Sequence, residues 1–362
     1  MARIMFPAVA LAAWAASAMA APAADTAWDD CKAQVPDRSI AGCTEVLQRD
    51  RETAVARAAA YNNRGNAYYG RRDWDRAIAD YSAAIRLKPD QAFVFNSRGN
   101  AFHYGKSDRD SALADYSEAI RLKPDYALAY RNRGNVFFAK RDWDRAISDY
   151  SEAARLNPKD AFAFNNRGNA HFNKLDWDRA IADYSEAVRL KPDYASAFNS
   201  RGNAHRNKGD LDKALADYGE AIRLDPKYAF AFMNRGLVYA RKRDWDRAVS
   251  DYSEAIRLDP SQATGFSGRA LAYAQKGEWD KVISDYSEAI RLDPKLATAF
   301  NNRGFAYYRT GELDRAVADF DDAIRLNPAD ASAFAGRGAA LARKGEWFRG
   351  VVDYGRAIRL TK

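Results

Sequence analysis

The string DYSEAIRL occupies residues 115–122, 251–258 and 285–292, and close variants of it recur from Asp80 to Asp353. A proline follows every copy but the last, and successive prolines lie 34 residues apart, except for a first interval of 35. These prolines are Pro89, Pro124, Pro158, Pro192, Pro226, Pro260, Pro294 and Pro328. Self-similarity at a fixed period of this length predicts a solenoid of stacked repeats.

We number each repeat from an alanine, so that the proline falls at position 32. The nine repeats then start at Ala58, Ala92, Ala127, Ala161, Ala195, Ala229, Ala263, Ala297 and Ala331, with one extra residue near Tyr104. Position 4 is always Tyr or Phe, position 8 is Gly in eight repeats, and position 27 is always Ala. Positions 4, 8 and 11 share one face of a first helix, and positions 20, 24 and 27 share one face of a second. The acidic residue at position 16, from Asp73 to Glu346, falls at the start of the second helix, where it suits the positive end of the helix dipole. The pattern therefore predicts an all-α chain of antiparallel helix hairpins.

These residues resemble the tetratricopeptide repeat (TPR) family over residues 58–362. The residues of the first repeat that carry the resemblance are Tyr61, Gly65, Tyr68, Ala77, Tyr81, Ala84 and Pro89. The resemblance implies an α-solenoid, a right-handed superhelix that binds proteins or peptides mostly in its concave groove. One position departs from the family, because position 7 is Arg in all nine repeats where an apolar residue is usual.

The residues before the repeats predict export. Residues 1–20 carry Arg3, an apolar run from Ile4 to Ala16 and small residues before Ala21, as a signal peptide does. A buried helix or a retained anchor is the alternative. We expect an exported protein of the periplasm of a Gram-negative bacterium, with no membrane span in the rest of the chain.

Residues 21–57 read as a divergent leading hairpin that contains both cysteines of the chain, Cys31 and Cys43. They flank a turn at Pro36, and an even cysteine count in an exported chain favours a disulfide. Two buried thiols are the alternative.

In the TPR family, first-helix positions 2, 5, 6, 9, 12 and 13 line the groove. None of these positions holds Asp or Glu, although the chain has 49 acidic residues. Amides dominate instead: Asn62, Asn96, Asn165, Asn199 and Asn301 at position 5; Asn63, Asn132, Asn166, Asn234 and Asn302 at position 6; and Asn66, Asn100, Asn135, Asn169 and Asn203 at position 9. Together with Arg131 and Arg206, the amides of repeats one to five are our predicted ligand groove.

Two interpretations of the amides stay open. An amide has donors and an acceptor, so regularly spaced amides can hold the backbone of an extended peptide, which resembles the asparagine ladder of O-linked N-acetylglucosamine transferase. Alternatively, Asn is only a tolerated polar residue on a solvated face. Aromatics among the amides predict either ligand pockets or helix packing: Tyr69, Phe93, Phe138, Phe162, Phe172, Phe230, Phe305 and Tyr308. Basic residues at position 14 predict a cationic rim, which keeps an anionic or neutral cell-envelope glycan as a second ligand class.

Two recurrent features suggest further roles. Arg at position 7 and Asp at position 23 predict a structural ion-pair ladder, with binding of acidic cargo as the alternative. In the last repeat, Val351, Tyr354 and Ile358 have no covering neighbour, which indicates either fraying or self-association through that face.

The sequence contains no set of residues that points to catalysis. The carboxylates recur with the repeat, which marks them as architecture. Of the three histidines, His103, His171 and His205, the last two occupy position 11 and are read as packed rings. We expect a binding protein that is not an enzyme, with no cofactor, no metal and no nucleic acid partner, in spite of the net charge of +8.

Overall fold

The computed structural model describes residues 25–361, so the predicted signal peptide at residues 1–20 lies outside the described residues. The described part contains twenty α-helices and no strand. None of these helices is long and apolar enough to cross a membrane. The chain divides into two units, residues up to 136 and residues from 137 onward, and the division falls within one helix.

The helices alternate as first and second members of hairpins. The leading hairpin consists of α1 (Thr26–Cys31) and α2 (Pro36–Gln48). The first helices of the repeats are α3 (Ala54–Gly70), α5 (Ala92–Asn100), α7 (Ala127–Ala139), α9 (Ala161–Asn173), α11 (Ala195–Lys208), α13 (Ala229–Arg241), α15 (Ala263–Lys276), α17 (Ala297–Thr310) and α19 (Ala331–Arg343). The second helices are α4 (Trp74–Leu87), α6 (Arg109–Leu122), α8 (Trp143–Leu156), α10 (Trp177–Leu190), α12 (Leu211–Leu224), α14 (Trp245–Leu258), α16 (Trp279–Leu292), α18 (Leu313–Leu326) and α20 (Trp347–Leu360).

In most repeats, the core of the hairpin lies where the glycine at position 8 meets the aromatic ring at position 24. A Cβ atom added at Gly168 would lie 2.8 Å from the ring of Tyr184, so the ring approaches this closely because glycine has no side chain. Repeat seven carries Ala270 at this position. Ala180 and Ala187, at positions 20 and 27, are fully buried around the ring of Tyr184. The small and aromatic positions that define the repeat are therefore a single packing unit.

The second helices begin at the acidic residue of position 16, as the sequence predicts. The carboxylate of Asp73 accepts a hydrogen bond from the backbone N–H of Arg76, and Asp142 and Asp176 do the same in their repeats. Such a cap satisfies a backbone donor that the first turn of a helix leaves unpaired.

The arginine at position 7 forms the predicted ion pair. In repeat four, Nε and Nη2 of Arg167 donate to the two carboxylate oxygens of Asp183 at 2.9 and 2.6 Å. Nη1 donates to Ser151 of the preceding hairpin at 3.1 Å, and the guanidinium lies over the ring of Phe164. Pairs with the same geometry are Arg64–Asp80, Arg98–Asp115, Arg201–Asp217, Arg235–Asp251, Arg269–Asp285, Arg303–Asp319 and Arg337–Asp353. Arginine replaces the usual apolar residue because it links two helices of one hairpin and, through its third nitrogen, the hairpin before.

The extra residue of repeat two is absorbed inside its first helix. Residues Ala101–Lys106 form a π-helical segment directly after α5. The wider turn adds one side chain, Tyr104, whose hydroxyl accepts a hydrogen bond from Nδ2 of Asn135 at 3.2 Å. Single π-helical turns of this kind accommodate an insertion without unwinding the helix.

Both cysteines lie in the leading hairpin and are buried. The sulfur atoms of Cys31 and Cys43 are 2.01 Å apart, which is the distance of a disulfide, and their Cα atoms are 4.4 Å apart. The two helices approach closely because Gly42 faces the backbone of α1, where a Cβ atom would lie 2.6 Å from the Ala27 carbonyl oxygen.

Candidate functional site

The position-9 amides are oriented by the aromatic ring of their own hairpin. The hydroxyl of Tyr184 donates to Oδ1 of Asn169 at 2.8 Å, and the hydroxyl of Tyr218 donates to Oδ1 of Asn203 at the same distance. In the first unit, Tyr81 bonds Asn66 and Tyr116 bonds Asn100 in the same way. A buried tyrosine hydroxyl needs such a partner, and the bond determines which end of the amide faces the core.

The remaining amide nitrogens differ among the repeats. For Asn66, Asn100, Asn169 and Asn203, Nδ2 donates no hydrogen bond within residues 25–361. Asn135 instead donates to Tyr104, and Oδ1 of Asn100 also accepts from Nδ2 of Asn132 at 3.1 Å. Four of the five position-9 amides therefore keep both donor hydrogens available.

The amides at position 5 lie deeper than the sequence suggests. Asn62, Asn96, Asn165 and Asn199 are all buried, which narrows the predicted groove to its outer positions. Oδ1 of Asn96 accepts from Asn132 at 2.9 Å. Oδ1 of Asn62 and of Asn165 are buried without a hydrogen-bond partner.

The amides at position 6 and the two predicted arginines serve largely as links between neighbouring first helices. Nη1 of Arg206 donates to Oδ1 of Asn234, whose Nδ2 donates to Oδ1 of Asn199 at 3.0 Å. Asn63 lies 4.0 Å from the sulfur of Cys31 in the leading hairpin. Elsewhere, Asn166 accepts a bond from Asn165 at 3.4 Å. Arg131 is half-buried in α7.

A cavity of about 320 Å³ adjoins the first amides. Its walls include Cys31, Lys32 and Ser39 of the leading hairpin, together with Asn63 and Asn66 of repeat one. The leading hairpin thus adds polar lining to the start of the predicted groove, which its divergent sequence did not reveal.

The predicted cationic rim at position 14 is largely neutralised. Each of these lysines forms an ion pair with the aspartate at position 18 of the preceding hairpin: Lys106–Asp75, Lys174–Asp144, Lys208–Asp178, Lys242–Asp212, Lys276–Asp246 and Lys344–Asp314. These exposed pairs join adjacent hairpins. They also remove the positive charge that the glycan hypothesis requires.

The aromatics of the predicted groove separate into two groups. Tyr69, Phe138 and Phe172 contact the tryptophan of their own hairpin edge to face, with ring centroids 4.8–5.1 Å apart, and so belong to the packing. A second group is exposed and consists of Phe93, Phe162, Phe230 and Phe305.

Position 9 becomes apolar after repeat five, a change that the sequence analysis recorded only as the loss of asparagine. The residues there are Leu237, Leu271 and Phe305, with exposed fractions of 37%, 53% and 46%. Comparing the same column for its hydrophobic character would have revealed it. Residues 25–361 hold no cluster of three metal-ligating side chains. His171 is buried, and burial lowers its pKa.

The tandem helix hairpins define an α-solenoid, and their first helices carry polar side chains of the kind that can bind a ligand. The family model described as "Tetratricopeptide repeat" matches residues 58–91, 229–262 and 297–330. A second family model, described as "TPR repeat", matches residues 106–140, 134–174, 176–209, 202–242 and 270–311. Together these matches cover more than half of the chain, which therefore belongs to the TPR family.

Solved structures show similar folds. The Cut9–Hcn1 structure of the APC/C is 14% identical, with 84% of this chain and 59% of that chain covered and a TM-score of 0.55. PilF of Pseudomonas aeruginosa is 18% identical, with 59% of this chain and 97% of PilF covered and a TM-score of 0.53. YrrB, described as a TPR protein with an unusual peptide-binding site, is 25% identical, with 52% of this chain and 97% of YrrB covered and a TM-score of 0.45. A comparison with curated proteins finds no match.

TPR proteins bind protein or peptide partners, and the repeats support a protein-interaction scaffold. No feature of the described residues indicates catalysis.

Proposed function

We propose that this chain is an exported scaffold that binds an extended segment of a partner protein through its position-9 amides. The observation that carries the proposal is the tyrosine–asparagine bond. The hydroxyl of Tyr184 occupies Oδ1 of Asn169, so the two Nδ2 hydrogens remain for backbone carbonyls of a ligand. A carbonyl acceptor is present at every residue of a peptide, so amides of this kind bind without reading the sequence.

Export is supported by the disulfide. A bond between Cys31 and Cys43 persists in an oxidising compartment such as the periplasm and is rare in the cytosol. The apolar segment at residues 4–16 agrees with that location.

A variant taken from the chain's own pattern tests the amide site. Asn169→Leu/Asn203→Leu should abolish capture of the partner segments that wild type retains from envelope extract. The leucines remove the donors, yet they match positions 237 and 271, where the fold already accepts leucine. Affinity purification with quantitative mass spectrometry measures the retained partners.

The control is Asn157→Leu, which changes an exposed asparagine directly after α8, outside the groove positions. If wild type and Asn169→Leu/Asn203→Leu retain the same partners to the same extent, the amides are not the binding site.

Self-assembly is a second candidate, favoured by the outer face of α20. Val351 and Ile358 are 66% and 58% exposed there, and Phe348 stands where the eight preceding repeats carry aspartate.

If this face joins two copies, Val351→Lys/Ile358→Lys should reduce a dimer to a monomer in light scattering, because a buried lysine pair is strongly unfavourable. Val55→Lys, at a valine 56% exposed on α3, is the matched control and should leave the mass unchanged. An identical mass for wild type and the α20 variant would rule out self-assembly through this face.

A further inference from the structure

Repeats six to eight present a column of side chains whose chemistry differs from that of the preceding repeats. Leu237 of α13, Leu271 of α15 and Phe305 of α17 occupy position 9, where repeats one to five carry asparagine. All three belong to the second unit and are exposed by a third or more. The fold does not need an apolar residue at this position, since five repeats form the same hairpin with an amide.

In repeat eight, the partner ring changes together with the column. Phe320 replaces the tyrosine of position 24, and its ring contacts Phe305 edge to face with centroids 6.2 Å apart. With no asparagine at position 9, a buried tyrosine hydroxyl would lose its acceptor, and Phe320 has no hydroxyl. Repeats six and seven keep the tyrosine, and in repeat seven the hydroxyl of Tyr286 accepts a hydrogen bond from Nδ2 of Asn302 at 3.0 Å. The apolar residue of repeat eight is thus matched by the ring beneath it.

Arginines at position 13 of α13, α17 and the following α19 have no acidic partner. Arg241, Arg309 and Arg343 are exposed, and no carboxylate within residues 25–361 forms an ion pair with them. Arg309 lies over the ring of Trp279 with its guanidinium carbon 4.4 Å from the centroid, and Arg343 lies over Tyr308 at 5.4 Å. The lysines at position 14, Lys242, Lys276 and Lys344, each form an ion pair with an aspartate of the preceding hairpin. The positive charge without an acidic partner therefore lies at position 13.

We propose that Leu237, Leu271 and Phe305, with Arg241 and Arg309, form a second docking surface for an acidic, apolar segment of a partner protein. Charge complementarity favours an acidic segment, because the groove positions carry no Asp or Glu and the position-13 arginines form no ion pair with a carboxylate of the described residues. A glycan fits less well, since two of the three apolar side chains are aliphatic and offer no ring face for a sugar.

The repeat spacing defines the register of such a segment. Neighbouring packed helices lie about 10 Å apart, and an extended chain advances about 3.3 Å per residue. An apolar residue at about every third position would therefore meet successive hairpins, with carboxylates between them facing the arginines. The surface is separate from the amides of repeats one to five, so either proposal can fail while the other holds.

Two fluorescein-labelled synthetic peptides test the surface by fluorescence anisotropy with the full chain. One carries Leu at every third position with Glu between, and the other carries Lys in place of each Glu. Wild type should bind the acidic peptide saturably and bind the basic one at least tenfold more weakly. Leu237→Asn/Leu271→Asn should weaken binding of the acidic peptide at least tenfold, because the two leucine side chains that the peptide would bury are lost.

The control is Arg189→Gln, which changes an exposed arginine of α10 outside the groove positions and should leave the affinity for the acidic peptide unchanged. Arg241→Gln/Arg309→Gln, which leaves the apolar column intact, should weaken binding and reduce its dependence on salt. Circular dichroism confirms that each variant is folded. The proposal is overturned if wild type does not bind the acidic peptide, if the Leu→Asn variant binds it equally, or if the two peptides bind alike. It is also overturned if light scattering shows that the column joins two copies and the peptide does not compete.

Discussion

Replacing Arg167 with Gln should lower the free energy of unfolding by about 3 kcal/mol, because it leaves the buried carboxylate of Asp183 without its cation. The change also removes the bond to Ser151, which joins the hairpin to its predecessor. Burial opposes ionisation in this type of pair: at the equivalent Asp319, burial raises the pKa although Arg303 lowers it. A buried carboxylate without a cation therefore destabilises the folded state. Urea denaturation followed by circular dichroism measures the change in the free energy of unfolding.

The control is Arg189→Gln in the same hairpin, which breaks an exposed pair with Glu186 and should change the urea midpoint little. The double variant Arg167→Gln/Asp183→Asn should recover part of the loss, since no charge then remains buried. Binding at the amides should be unaffected under conditions where the chain is folded. A larger effect on binding than on stability would instead favour the role in acidic cargo recognition.

Raising the pH above about 10 should unfold the chain cooperatively, because the tyrosines at position 24 are buried as neutral phenols. Burial raises the pKa of Tyr252 and Tyr286 to about 12, and those of Tyr81, Tyr116, Tyr184 and Tyr218 rise further. An unfolded tyrosine ionises near pH 10. The stabilisation by a neutral folded tyrosine is complete below that pH and is lost as the pH rises toward the folded pKa.

The expected loss is large. At about 1.4 kcal/mol per pKa unit, Tyr252 and Tyr286 alone account for about 5 kcal/mol by pH 12, comparable with the stability of many domains. Helix content and tyrosinate absorption, measured together, should change in one step between about pH 10 and 12. The prediction would be contradicted if the tyrosines ionised near pH 10, as in an unfolded chain, while the helix content stayed complete.

Lysines also lose their charge in this range, so a variant must separate the two causes. Tyr184→Phe/Tyr218→Phe should move the transition to higher pH, because phenylalanine has no proton to release. The chain already carries Phe320 at this position in repeat eight. An unmoved transition would assign the alkaline unfolding to the lysine–aspartate pairs between hairpins.

The repeat pattern predicted the hairpins, the capping residues and the Arg–Asp pair because each is a local consequence of spacing. Gly at position 8 and an aromatic at position 24 recur together, and their contact follows from helical geometry. The amides illustrate the limit of this reasoning. Asn165 and Asn169 read alike in sequence, yet one is buried and the other is oriented by Tyr184 with its donors available.

The same limit applies to charge. Lys174 counts as a basic groove residue in the sequence, but its partner Asp144 belongs to the preceding hairpin, 30 residues away. Arg309, at the neighbouring position of repeat eight, has no carboxylate partner within the described residues and lies over the ring of Trp279. Pairings between hairpins depend on how the layers stack, which residue spacing within one repeat does not reveal.

The amino-acid sequence by itself determined that this chain is a TPR solenoid, because period, small residues and aromatics act within one hairpin and need no distant partner. It also determined where position 9 changes from asparagine to leucine and phenylalanine. Only the tertiary structure decided which of those amides and cations remain available to a ligand. Availability depends on hydrogen bonds and ion pairs between residues about 15 to 35 positions apart, and these form only when the helices pack.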